Sequence, residues 1–127
     1  MMRRTLTVLA AVILAGGAAL AHHSFDAEYD SNKVATIAGF VTKVDWQNPH
    51  AFVYIDAAEP TGVVKSFRVE MGPPYALVRG GWKKDTVKIG DKVTVEGAAL
   101  AKDGSNAAGS MPTTMMVLAT GQKLVMR

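Results

Sequence analysis

His50-Ala51-Phe52-Val53-Tyr54-Ile55-Asp56 is the stretch from which the rest of the chain can be read. Ala51, Val53 and Ile55 alternate with His50, Phe52, Tyr54 and Asp56, the period of a strand with one buried face. Gln47-Asn48-Pro49 before it is a turn, because proline restricts its predecessor and asparagine tolerates turn geometry. Glu59-Pro60-Thr61-Gly62 after it is a second turn. Beyond it, residues 65–71 alternate again, with Phe67, Val69 and Met71 on the buried side. Upstream, Ile37, Gly39 and Val41 share one face, and Val44 and Trp46 the other. The change of phase between Val41 and Val44 predicts a bulge or sharp coil in one long strand beginning at Val34.

Pro73-Pro74 ends the third strand, and residues 75–79 are a short helix stopped by Gly80-Gly81. Ile89-Gly90-Asp91 turns into a fourth strand over 92–100, with Val93 and Val95 inward. Residues 102–109 are loop-like in composition. Residues 113–119 read as a fifth strand, and Gly121-Gln122 leads into a last short one over 123–126. Five strands and a last short one, with one small helix after the third, predict a mainly β fold. The expected form is a small five-stranded Greek-key barrel like the oligonucleotide/oligosaccharide-binding (OB) fold, spanning residues 34–127. A small β-sandwich is the alternative; closure favours the barrel, because it hides the strand edges.

With 127 residues, 49% of them hydrophobic and 20% charged, the chain has room for one ordered domain. It has no cysteine, which excludes disulfides, thiolate metal sites and cysteine nucleophiles. Residues 1–21 read as a signal peptide: Arg3 and Arg4, an apolar run from Leu6 to Leu14, then Ala19-Leu20-Ala21 as the cleavage pattern. The run is short for a membrane span and is interrupted by Gly16-Gly17. The expectation is a periplasmic or secreted protein of a Gram-negative bacterium. Without the leader, 12 basic residues face 11 acidic ones, so the pI near 9.3 does not argue for a nucleic-acid partner. Residues 22–33 read as an extended amino-terminal arm, with Phe25 and Tyr29 as apolar anchors.

His22-His23-Ser24-Phe25, Trp46-Gln47-Asn48-Pro49-His50, Gly80-Gly81-Trp82 and Gly90-Asp91-Lys92-Val93 stand in that order. Together they resemble a family of small exported bacterial proteins catalogued as domain of unknown function 6152. The resemblance covers nearly all of the chain beyond the leader, and the HHSF and W-x-NPH segments are its most specific parts. It implies export and a small β-rich fold. It brings no activity and no catalytic residue, so the site must be argued from the residues.

Cleavage after Ala21 would make His22 the first residue, with its α-amine and imidazole Nδ1 both able to bind one metal ion. Cleavage after Ala19 would place His22 third, another arrangement that suits cupric ion. The candidate site is therefore copper held by His22 and His50, with His23 as an added or competing ligand. Zinc is the second choice. Asp26, Asp30 and Asp45 are candidates to orient a histidine. The plainer reading makes His22-His23 a polar end and His50 a cap on the Asn48-Pro49 turn.

Trp46, Phe52, Tyr54 and Trp82 are candidates to line a groove for a small ligand, a glycan or a periplasmic partner protein, with no metal. Met111, Met115 and Met116 are better read as core, since Met115 and Met116 point to opposite faces of a strand. Arg79, Lys83, Lys84, Lys88 and Lys92 surround Trp82; this reads as a solvated face, with a weak anionic ligand or membrane-surface contact also open. The chain carries no P-loop, G-x-S-x-G or H-E-x-x-H motif, and Ser24, His50 and Asp45 have no spacing that calls for catalysis. A non-enzymatic binding protein is expected.

Overall fold

The structure, a computed structural model, describes residues 24–127. The expected signal over 1–21, His22 and His23 lie outside the described residues. Seven strands follow in order: β1 (Tyr29–Asp45), β2 (Phe52–Ala58), β3 (Val64–Glu70), β4 (Lys92–Ala101), β5 (Ala107–Gly109), β6 (Met115–Leu118) and β7 (Lys123–Val125). One short helix, Pro74–Arg79, lies between β3 and β4. Its start follows from the fixed φ of Pro74 in the first turn. The Asn48–Pro49 peptide is cis. No helix among the described residues is long and apolar enough to cross a membrane.

The five-stranded OB-like barrel is corrected by the pairing. The strands form one seven-stranded mixed sheet in the order β1-β2-β3-β5-β4-β6-β7, with an additional pairing of β1 to β4. The missing piece was β5. Its Ala-Ala-Gly sequence sits in a stretch of loop composition, yet it pairs parallel to β3 through Arg68↔Ala107, Val69↔Ala108 and Glu70↔Gly109. β6 and β7 extend the sheet beyond β4 through Val95↔Met116 and Met116↔Leu124. The expected arm over 22–33 is also corrected within its described part. Residues 24–28 form a helical turn, and from Tyr29 the chain is already in β1, opposite Ala101.

β1 is long enough to serve two neighbours. Its first part pairs with β4 and its last part with β2, and Phe40 faces both Asp56 and Lys92. The register shifts between Val41 and Lys43, the position of the expected bulge. Gly39 sits at this crossing because nothing larger fits: a Cβ there would lie 2.0 Å from the Asp56 carbonyl oxygen. The buried face collects Ile37, Val41, Val53, Ile55, Val69, Val93, Val95 and Met116 into one core. Leu77, Trp82 and Val87 close onto it from the segment joining β3 and β4. Of the three methionines read as core, Met116 is buried here while Met111 and Met115 are half-buried; Met71 and Met126 are buried in the same core.

Candidate functional site

The hairpin of β2 and β3 brings the chain before one strand beside the chain after the other. Met71 N–H donates to Ala51 O at 2.8 Å, and Ala51 N–H donates to Gly72 O at 3.2 Å. Two more segments join there: Ser110 N–H donates to Glu70 O at 2.9 Å, and Gly72 N–H donates to Met126 O at 2.8 Å. The amino-terminal turn lies over this junction. Gly109 provides the space, since a Cβ on it would lie 2.6 Å from Tyr29 Cδ2 and 2.8 Å from Phe25 Cε2. The two rings rest there with centroids 5.0 Å apart. Gly109→Ala is expected to push both rings off β5 at a cost of about 1–3 kcal/mol. Urea unfolding measures it, and an unchanged midpoint would mean that the rings yield freely.

Turn and junction enclose a cavity of about 210 Å³. Ser24, Phe25 and Glu28 line it from the turn, Tyr29 from β1, Glu70 and Met71 from the end of β3. His50, Ser110 and Arg127 complete the wall.

Glu70 is the centre of the polar contacts. The Tyr29 hydroxyl donates to Glu70 Oε2 at 2.5 Å. His50 Nδ1 lies 3.6 Å from Glu70 Oε1 and 2.8 Å from the Met71 carbonyl oxygen. A carbonyl can only accept, so Nδ1 carries the proton, and Nε2 is the ring nitrogen left to meet a ligand. An imidazole fixed through one nitrogen by a backbone carbonyl is the usual outer partner arrangement of a metal-binding histidine. Tyr29 is 1% exposed; burial, then the hydrogen bond and charge of Glu70, hold its pKa well above the usual phenol range. Arg68 Nη2 lies 3.4 Å from Glu28 Oε1. Arg127 donates to Ser110 O at 2.9 Å and stacks its guanidinium over Phe25 at 4.9 Å.

Of the three histidines, His50 lies in the cavity wall, and His22 and His23 lie outside the described residues. Among the described residues no group of three or more histidines and carboxylates is placed to hold a metal ion. Two of the three carboxylates proposed to orient a histidine are engaged elsewhere: Asp45 pairs with Lys43 at 3.4 Å, and Asp30 accepts from Asn32 N–H at 3.0 Å. Asp26 is held by its backbone carbonyl, which accepts from Lys102 Nζ, and it does not line the cavity. Glu70 is the carboxylate beside His50. The hairpin register contained that information, since a turn centred near Thr61 sets Glu70 opposite Phe52, two residues past His50.

The four aromatic candidates divide into two pairs. Trp46 and Trp82 line one small apolar crevice with Val44, Val53, Met71 and Val87. The Trp82 indole N–H donates to Val125 O at 2.7 Å, so Trp82 is a core residue with its polar atom satisfied. Phe52 and Tyr54 flank Val53 in sequence and therefore point to the opposite face of β2. There Arg68 stacks over Phe52 at 4.9 Å, and the Lys43 ammonium over Tyr54 at 5.1 Å.

A family model described as "Family of unknown function (DUF6152)" matches residues 10–110. No curated protein and no solved structure matches the chain.

Proposed function

The chain belongs to the DUF6152 family, and from that premise we propose an exported small binding protein that holds copper through His22, His23 and His50. One observation supports this above the others. Ser24, bonded directly to His23, lines the same cavity as His50. Consecutive Cα atoms are about 3.8 Å apart, so covalent geometry alone keeps the His22 and His23 Cα atoms within about 8 Å of the Ser24 Cα. His50 brings its Nε2, fixed in direction by the Nδ1–H bond to Met71 O. Removal of residues 1–21 would add the α-amine of His22 to the imidazoles. A donor set of amine and imidazole nitrogens suits Cu(II), with Zn(II) second. Glu70 would act on the metal indirectly, by holding the His50 ring.

Cu(II) titration of the protein starting at His22 tests this, followed by calorimetry and electron paramagnetic resonance. The expected result is micromolar or tighter binding, lost when one extra residue precedes His22. His50→Ala is expected to weaken it by at least about 10-fold, in line with the loss of a ligand or its support. Full affinity in His50→Ala would remove His50 from the site. No binding by the processed protein would overturn the copper reading and favour a metal-free ligand.

A further inference from the structure

The segment joining β3 to β4 carries a charge imbalance that the cavity does not use. Residues 75–92 hold Arg79, Lys83, Lys84, Lys88 and Lys92 against Asp85 and Asp91, a net of +3. The other described residues hold seven cations against nine carboxylates, a net of −2 with histidine neutral. Pairing differs too: four of those seven cations, Lys43, Lys65, Arg68 and Lys123, meet a carboxylate, and none of the five in the segment does so among the described residues. Asp91, the nearest acidic residue in sequence to Lys92, already accepts the Lys88 backbone N–H at 2.9 Å.

The same segment presents large apolar side chains outward. Leu77, Trp82 and Val87 anchor it to the core, and the residues between them face away. Tyr75 is 65% exposed and Ile89 74%, with Val78 exposed as well. Single exposed apolar residues are ordinary; what marks these three is that they share one segment with five cations that meet no carboxylate. Lysine is depleted at protein–protein interfaces, because a compact, strongly hydrated ammonium is costly to desolvate. A lipid surface requires no such desolvation. Lysines stay hydrated among anionic headgroups while tyrosine and aliphatic side chains enter the interfacial layer.

We propose that residues 75–92 form a docking surface for an anionic lipid bilayer. Binding is peripheral, reversible and sensitive to salt. The proposal does not rest on the copper reading.

Co-sedimentation with lipid vesicles tests it, using the chain from His22 onward, which contains every described residue. Vesicles containing phosphatidylglycerol should bind the protein at low salt and release it at high salt; pure phosphatidylcholine vesicles should not bind it. Lys83→Gln, Lys84→Gln and Lys88→Gln combined should weaken binding on the order of 100-fold, since each lysine near an anionic surface is worth about fivefold. Ile89→Ser should weaken it by less, and unchanged circular dichroism would show both variants folded. Equal binding to the two kinds of vesicle would overturn the proposal, as would a triple variant that binds like wild type. Binding to soluble polyglutamate without binding to vesicles would also overturn it, in favour of an acidic polypeptide partner.

Discussion

Gly39→Ala is expected to destabilise the fold by about 3 kcal/mol or more, at the upper end of overpacking effects. For a domain of this size that is a fall in thermal midpoint of roughly 12–24 °C, at ~4–8 °C per kcal/mol. The added methyl carbon would lie 2.0 Å from the Asp56 carbonyl oxygen, 2.7 Å from its carbon and 2.9 Å from Ala57 Cα. All three are backbone atoms, so no side-chain rotation relieves the clash. The strands must part, and they would part where β1 passes from β4 to β2. Phe40↔Asp56 and Val41↔Ile55 on one side, with Gly39↔Val93 on the other, would be strained together. Gly80→Ala serves as the control. A Cβ there meets its nearest neighbour, the Leu77 carbonyl oxygen, at 3.4 Å, and its φ of −81° suits alanine. Melting followed by circular dichroism should show a large drop for the first variant and little change for the second. Equal midpoints would mean that β1 and β2 can separate at this crossing without loss.

The two glycines with the tightest surroundings also mark the limits of what the sequence discloses. Gly39 lies in an alternating stretch, so its strand is legible and its inward face is too. The backbone pressed against it is not legible, because that contact joins residues brought together by the path of the whole sheet. Gly109 follows Ala107 and Ala108 at the end of a polar loop, where three small residues give no period to read. Its strand exists because β3 offers a parallel edge, a pairing that only the assembled sheet creates. With β5 unread and the short strand over 123–126 not counted, the sequence suggests a five-stranded barrel in place of the seven-stranded mixed sheet. The hairpin of β2 and β3 was legible throughout, since local alternation and a local turn specify it. His50 followed from it as a polar residue just ahead of a strand, and Glu70 could have followed from the same register. Tyr29 and Arg127 could not. Each reaches the cavity from a distant part of the chain, and no short-range pattern reports that they meet.

Tyr29 is where fold and cavity depend on the same side chain, and two substitutions separate its roles. Tyr29→Ala is expected to cost about 3–5 kcal/mol, the range for removing a buried aromatic ring. It leaves Phe25 without its ring partner and Glu70 without its hydroxyl donor. Tyr29→Phe keeps the ring and removes only the donor to a charged acceptor, a loss of about 1.5–3 kcal/mol. The second variant also changes the response to alkali. Burial first, and then the hydrogen bond and charge of Glu70, raise the pKa of Tyr29 in the folded protein. In the unfolded chain a tyrosine ionises near pH ~10. Above that pH the unfolded state holds fewer protons than the folded one, so stability falls as the pH rises. The contribution is complete below pH ~10 and declines beyond it by about 1.4 kcal/mol per pH unit toward the raised folded-state value. Urea unfolding between neutral and strongly alkaline pH should show this decline in wild type and a shallower one in Tyr29→Phe. Parallel curves would mean that the Tyr29 hydroxyl reaches solvent in the folded state, and Glu70 would then be free to turn wholly toward His50.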